Sequence, residues 1–110
     1  MRNLTIQRRK SMVAMLAVVQ IFAEDPSGDV VIRKTRCRKL GEVKNGQTVT
    51  FSIGEEAVRI FALHEMFSRN YAHDFYDIPA GTEDILLAGE NRVNLFTGHG
   101  YRFDRPKKKK

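Results

Sequence analysis

Residues 44–63 read KNGQTVTFSIGEEAVRIFAL, and this segment is the clearest indication of the fold class. Within Thr48–Ile53, apolar residues alternate with small polar residues, which is the pattern of a half-buried β-strand. The preceding Asn45-Gly46 is the dipeptide favoured in a type I′ hairpin turn, because both central residues of that turn need positive φ. Gly54-Glu55-Glu56 turns the chain again before a second strand. The sequence therefore predicts a three-stranded antiparallel meander over Leu40–Leu63.

Short apolar runs between turn residues continue outward at a spacing of roughly ten residues, as in all-β sandwiches and barrels. Turns are predicted at Asp25–Asp29, which contains Pro and Gly, and at Gly89–Asn91. Further strands are predicted around Leu4 and Ile6 and at Val18–Phe22, Val30–Lys39, Glu83–Ala88, Val93–Phe96 and Gly100–Phe103, the last two as a hairpin. We expect an all-β fold, a small β-sandwich of about seven mostly antiparallel strands, with a partly open small β-barrel as the alternative.

Residues 64–82 mix aromatic and polar side chains without a clear period. We expect a long connection there, with a short helix as the alternative. Its aromatic residues either cap the core or form a possible binding lip, since binding residues concentrate on loops. The candidate lip residues are Phe67, Tyr71, Phe75 and Tyr76. Acidic residues surround them, so such a lip would prefer neutral or cationic partners.

The length of 110 residues predicts one domain, over residues 1–104, followed by a disordered basic tail over 105–110. Hydrophobic residues make up 42% of the chain and charged residues 29%, which is typical of a soluble globular protein. The net charge of +6 is unevenly spread, because residues 1–50 carry ten Lys/Arg against four Asp/Glu, and residues 51–103 carry four against eight. The charge distribution therefore resembles a dipole more than a uniformly basic body.

Five cations lie close together in the predicted strand Val30–Lys39, and they are candidate polyanion-binding or partner-binding residues: Arg33, Lys34, Arg36, Arg38 and Lys39. Alternation places cations on both faces of this strand, so we expect an edge strand, a protruding hairpin arm or a ribbon. Charges on an edge also serve as a defence against unwanted strand pairing. No aromatic residue lies between Phe22 and Phe51, so any nucleic acid would be bound through its phosphates and without sequence specificity.

Catalytic and metal-binding patterns are missing from the sequence. It contains no G-x-S-x-G, no phosphate-binding glycine loop and no pair of His or Cys at a ligand spacing. We therefore predict no enzymatic activity, no metal and no cofactor. The lone Cys37 lies between Arg36 and Arg38, and two interpretations stay open: a thiol activated by adjacent cations, or a small hydrophobe packed in a strand.

The compartment is predicted from weaker signals. A single cysteine favours a reducing compartment, and we expect a cytoplasmic protein. Residues 8–23 loosely imitate a signal peptide, with a basic start and an apolar stretch, so export is the alternative. No apolar run reaches the roughly 18 residues that a membrane span needs.

One resemblance supports the fold. The run Leu40–Gly46, the alternating strand that follows it and Val58–Phe61 resemble the PEGA-type small β-sandwich domains and related uncharacterised bacterial domains, over about residues 28–63. The Pro-Glu-Gly-Ala string of that family is absent. The resemblance implies an all-β module of the kind usually appended to surface or regulatory proteins, and it implies no reaction.

Together these features predict a non-catalytic binding or assembly module that engages another protein, either a second copy or a different chain. The alternative is a non-specific binder of nucleic acid or of an anionic surface, acting through the basic strand and the lysine tail.

Overall fold

The computed structural model of the chain describes residues 1–11, 18–64, 73–94 and 98–104. All of their regular secondary structure is β-strand. These residues therefore include no helix that could span a membrane. The strands are β1 (Arg2–Arg8), β2 (Val19–Glu24), β3 (Val30–Ile32), β4 (Thr35–Val43), β5 (Thr48–Ile53), β6 (Val58–His64), β7 (His73–Ile78), β8 (Ile85–Asn94) and β9 (Gly98–Phe103).

The strands form two sheets, with the orders β5-β1-β8-β9 and β3-β4-β2-β6-β7. The predicted all-β sandwich is confirmed, although the described residues form nine strands and not about seven. Strands β1 and β8 pair in parallel, whereas the other neighbours are antiparallel. A hairpin near the C-terminus is confirmed, since β8 pairs with β9, but the predicted register is wrong: Gly100–Phe103 pair with Gly89–Arg92 and not with Val93–Phe96.

The predicted meander over Leu40–Leu63 is wrong. Strand β5 pairs with β1, and β6 pairs with β2 and β7, so β4, β5 and β6 are not hydrogen-bonded to one another. The Asn45-Gly46 turn carries the chain from one sheet to the other. Gly46 has a φ of 75° while Asn45 keeps a negative φ, which is type II geometry and not the type I′ geometry of a two-residue hairpin. Alternation of apolar and polar residues predicts which face of a strand is buried, but it does not predict with which other strand it pairs.

Three further expectations are corrected. The predicted strand Val30–Lys39 is interrupted at Arg33-Lys34, where the chain reverses between β3 and β4. The predicted turn at Gly89–Asn91 is instead the middle of β8. There Gly89 serves close packing, since an added Cβ would lie 2.6 Å from the Tyr101 hydroxyl. Part of the predicted connection 64–82 is strand β7, and residues 65–72 lie outside the described part of the chain.

The main core lies between the sheets. Strand β1 points Leu4 and Ile6 into it, and Arg2 and Arg8 occupy the next inward positions at either end of the strand, also buried. The core is completed by residues from both sheets: Val19, Ile21, Ala23, Val43, Ile53, Ile60, Ala62, Ile78, Leu87, Tyr101 and Phe103. Strands β1 and β8 are the two inner strands of the four-stranded sheet, and β1 lies between β5 and β8.

A second buried cluster lies on the other face of the five-stranded sheet. It contains Phe22, Ile32, Cys37 and Phe61, with Val30, Leu63 and Phe75 packed against it. Because β3 and β4 contribute to this cluster, their hairpin is anchored to the body of the domain through apolar contacts.

Candidate functional site

The β3–β4 hairpin brings the five predicted cations together around one reversal of the chain. Ile32 pairs with Thr35, so Arg33 and Lys34 are the two central residues of the turn. Their φ angles are 47° and 69°, which is the type I′ conformation that the sequence led us to expect at Asn45-Gly46. A left-handed backbone conformation is unfavourable by about 1–2 kcal/mol for a residue with a Cβ. Placing Arg and Lys at these two positions therefore lowers the stability of the turn. Both side chains are exposed.

The base of the hairpin depends on a short crossing of the chain. Strands β2 and β3 both run antiparallel to β4, one on each side of it, and residues 25–29 connect them. Two strands with the same direction usually need a connection of about a dozen residues. Here the chain passes directly against β4, where Gly28 lies against the backbone of Cys37 with no room for a Cβ.

A compact turn holds this crossing. The Gly28 N–H donates to the Asp25 carbonyl at 2.9 Å, and the Ser27 N–H and hydroxyl both donate to Asp25 Oδ1, at 2.9 and 2.8 Å. The bonds from Ser27, assisted by the nearby Arg38, lower the pKa of the Asp25 carboxyl. Asp25 is therefore ionised at neutral pH and available to pair with a cation of the hairpin.

The five cations differ in how they are neutralised. Arg38 Nε lies 3.4 Å from Asp25 Oδ2, and Lys39 Nζ lies 2.9 Å from Glu42 Oε2. The Arg36 guanidinium donates to the Gly28 carbonyl at 3.1 Å. This hydrogen bond occupies one N–H group of Arg36, but a neutral carbonyl does not compensate the positive charge. Arg33 and Lys34 form no ion pair with any residue that the structure describes. The uncompensated charge is therefore concentrated at and beside the tip, on three cations.

An exposed apolar side chain lies among these cations. Val31 is 59% exposed and faces Arg36 across the hairpin. Cys37 and Ile32, by contrast, point to the opposite face and are buried in the second cluster. The outer surface of the hairpin thus offers one apolar contact flanked by cations, and the sequence did not single out Val31 because a valine in a strand is usually buried.

The charge beneath the hairpin has the opposite sign. A cleft of about 510 Å³ opens at its base, with Ala23, Ile53 and Val58 among the apolar lining residues. Its charged lining consists of Glu24, Asp25, Glu56 and Arg38. Three carboxylates against one guanidinium leave this cleft acidic, so an acidic ligand would be directed to the tip and not to the base.

Cys37 is fully buried, which confirms the interpretation as a packed small hydrophobe. Burial raises the pKa of its thiol, and the nearby Glu24 raises it further. The adjacent arginines do not activate it, since Arg36 and Arg38 occupy the other face of the strand.

We expect the thiol of Cys37 to be unreactive in the folded protein, because the reactive thiolate is scarce and the sulfur is inaccessible. At pH 7.5 a thiol-specific chromogenic reagent should label native protein at least about 100-fold more slowly than protein in denaturant. Free cysteine added to the same denaturant serves as the control for reagent activity. Rapid labelling of the native protein would contradict the buried placement.

Of the four aromatic residues of the predicted lip, the structure describes Phe75 and Tyr76. Phe75 and Tyr76 lie on β7 and point to opposite faces of the sheet. Phe75 lies 6.2 Å from Phe61 between ring centroids, and the Arg59 guanidinium lies 4.2 Å from the Phe75 ring, whereas Tyr76 packs edge-on against Phe103 in the main core. Phe67 and Tyr71 lie outside the described residues. The acidic residues around them serve structure: Asp77 pairs with Arg59, and Asp74 accepts the Phe103 N–H.

Metal ligands are not assembled in the part of the chain that the structure describes, where no group of three His, Cys, Asp or Glu side chains converges. Strands β6 and β7 place the backbones of His64 and His73 at neighbouring positions, next to the pair Leu63↔His73.

The β3–β4 hairpin is therefore the candidate site, with Arg33, Lys34 and Arg36 as its uncompensated cations. No protein-family model, curated protein or solved structure matches this chain, so the site is interpreted from its own geometry and charge.

Proposed function

We propose that this protein is a non-catalytic binding module that engages an acidic segment of another protein through the tip of the β3–β4 hairpin. The observation that carries the proposal is the pair Arg33-Lys34, two adjacent non-glycine residues held at positive φ on an exposed turn. Strained backbone conformations persist where function or the surrounding structure maintains them. Asn-Gly at these positions would relieve the strain, and we attribute the presence of two cations there to binding.

The charge distribution defines the partner. Arg33, Lys34 and Arg36 form no ion pair with a described residue, while Arg38 and Lys39 pair with Asp25 and Glu42. Exposed Val31 adds an apolar contact beside these cations. Carboxylates next to an apolar side chain match this surface, and guanidinium groups bind carboxylates with paired hydrogen bonds.

The size of the charged surface disfavours nucleic acid as the main ligand. Three phosphate contacts give a slope of about −2.7 in log K against log salt, which corresponds to weak binding at physiological salt. The described hairpin also has no aromatic side chain on which a base would stack. Binding of a polyanion through the hairpin and the lysine tail is therefore the second candidate function. Its dependence on salt and on the type of ligand would differ from that of binding to an acidic protein segment.

The test is a variant that separates binding from stability. In the double variant Arg33→Asn/Lys34→Gly we expect the affinity for a fluorescent glutamate-rich peptide of about 15 residues to fall at least about tenfold, because two of three tip cations are lost. The same variant should be about 1–2 kcal/mol more stable in urea unfolding, since Asn and Gly tolerate positive φ. Fluorescence anisotropy and a denaturation curve measure the two quantities on the same sample.

The matched control removes two cations elsewhere. Lys10→Asn/Lys44→Asn changes exposed lysines near the Asn45-Gly46 turn, and it should leave peptide binding within about twofold. The proposal fails if the hairpin variant binds the peptide as tightly as the parent protein does. It also fails, in favour of the second candidate, if random DNA binds at least about tenfold more tightly than the peptide and the hairpin variant abolishes that binding.

A further inference from the structure

Strand β5 lies at an edge of its sheet in the described part of the chain. It ends the sheet order β5-β1-β8-β9, and no described strand pairs with its outer side. Its sequence TVTFSI contains six uncharged residues without Pro, and its register with β1 is continuous from Gln7↔Thr48 to Arg2↔Ile53. Natural edge strands are normally protected by charges, Pro, bulges or short length. Strand β3 has that protection, with three residues and flanking cations, whereas β5 does not.

The free hydrogen-bonding groups of β5 follow from its pairing with β1. The Arg8 N–H donates to the Gln47 carbonyl at 3.0 Å, so this pair is of the hydrogen-bonded kind. Such pairs alternate along an antiparallel ladder, and therefore the odd-numbered residues of β5 bond to β1. Thr48, Thr50 and Ser52 consequently point their N–H and C=O groups away from the sheet, and no residue that the structure describes bonds to these six groups.

We propose that two copies of this chain associate through β5, antiparallel and around a two-fold axis at Thr50. In this register Thr50 faces Thr50 of the other copy, and Thr48 faces Ser52. Each facing pair exchanges two hydrogen bonds, so all six free groups of each copy are satisfied. The result is one continuous sheet of eight strands.

The side chains are also self-complementary in this register. An axis perpendicular to the sheet keeps outward residues on the outward face, so exposed hydroxyls meet hydroxyls. On the inner face, half-buried Val49 lies opposite Phe51 of the other copy, an aromatic and β-branched pair of the kind that stabilises sheets.

Charge favours association of two copies through β5 over association through more highly charged surfaces. The chain carries a net charge of +6, so two copies repel one another on average. Strand β5 is uncharged, and Lys44 and Glu56 flank it at equal distances in sequence from Thr50. The proposed register therefore brings a lysine of one copy and a glutamate of the other to the same end of the interface. This surface is separate from the β3–β4 hairpin, so either proposal stands without the other.

The first experiment changes the residue on the axis. Sedimentation of the full chain from about 5 µM to about 1 mM should show a shift from monomer to dimer. Thr50→Lys places two ammonium groups directly opposite each other, and we expect it to weaken the dimer at least about tenfold. Gln7→Lys adds the same charge to the same outer face, on β1 and away from the edge, and should leave the dimer unchanged.

The second experiment gives a positive signal. Facing residues of a hydrogen-bonded pair have Cα atoms about 5.5 Å apart, which a disulfide accommodates. Thr50→Cys should therefore form a covalent dimer under mild oxidation, while Gln7→Cys should not, and buried Cys37 does not compete.

Two results would overturn the proposal: a monomer at every concentration with no selective cross-linking at position 50, or a dimer unaffected by Thr50→Lys. If the chain is monomeric and the Thr50→Cys variant forms a disulfide under mild oxidation with an added peptide of sequence TVCFSI, the edge binds a foreign strand and the two-copy proposal is wrong.

Discussion

Gly28→Ala is expected to destabilise the protein by about 3 kcal/mol, which for a domain of this size lowers the melting temperature by about 15 °C. The cause is steric. An added Cβ would overlap the carbonyl carbon and oxygen of Cys37 and lie 3.1 Å from the Arg38 nitrogen. These are backbone atoms of β4, which is fixed by strands on both sides, so they cannot move aside as the end of a flexible side chain does. The short crossing between β2 and β3 would have to open.

The measurement is a thermal or urea unfolding curve followed by circular dichroism. Gly81→Ala is the matched control, because an added Cβ there meets only Arg2 Nη1, at an ordinary contact distance of 3.5 Å. The control should change stability by less than about 0.5 kcal/mol. Equal stabilities of the two variants would show that residues 25–29 do not pass against β4. The Gly28 variant should also reduce peptide binding by the hairpin, since Arg36 donates to the Gly28 carbonyl.

Arg2→Met is expected to cost about 3 kcal/mol, although it replaces a cation with a hydrophobe at the end of a strand. Arg2 is 3% exposed, and its guanidinium donates to three carbonyls: Gly54 at 3.0 Å, Glu56 at 3.1 Å and Pro79 at 3.0 Å. These acceptors belong to the β5–β6 turn and to the β7–β8 connection. Removing the guanidinium leaves three carbonyls without their donor and releases two connections from each other.

Arg2→Lys tests whether the planar group or the charge matters. A single ammonium cannot reach three carbonyls in different directions, so we expect a loss of about 2 kcal/mol despite the retained charge. Arg102→Met is the control, because the Arg102 side chain is 44% exposed and its Nη1 forms a long ion pair, 3.9 Å from Asp74 Oδ1. This variant should lower the stability by less than about 0.5 kcal/mol. A lysine variant as stable as the parent would mean that charge alone accounts for the role of Arg2.

The candidate site was only partly predictable. The cluster Arg33–Lys39 is visible in the sequence because five cations in seven residues are conspicuous at any position in a fold. The turn within the cluster is not visible, since Arg and Lys have no preference for positive φ, whereas Asn45-Gly46 has that preference and adopts a different turn. The neutralisation of Arg38 and Lys39 depends on the β2–β3 crossing, which places Asp25 beside β4, and on the course of β4 itself.

The free edge of β5 could not be predicted for a related reason. The pattern of Thr48–Ile53 predicts a strand with one buried face, and this is correct, with Ile53 2% exposed. The same pattern would suit the middle strand of a meander. Only the pairing of β5 with β1, across more than forty residues of sequence, leaves its outer hydrogen-bonding groups free.

Alternation and turn residues act within a few residues of chain, so the residue pattern was enough to establish that this protein is built from β-strands, where most of them lie and which of their faces is buried. The folded chain was needed to show which strands pair, which of the described strands lie at an edge and that Arg2 and Arg8 are buried. Backbone hydrogen bonds are alike for every strand, and thus partners are selected by the packing of the whole domain. The carbonyls that accept hydrogen bonds from Arg2 lie 52–77 residues away in sequence, so no local sequence pattern predicts these bonds.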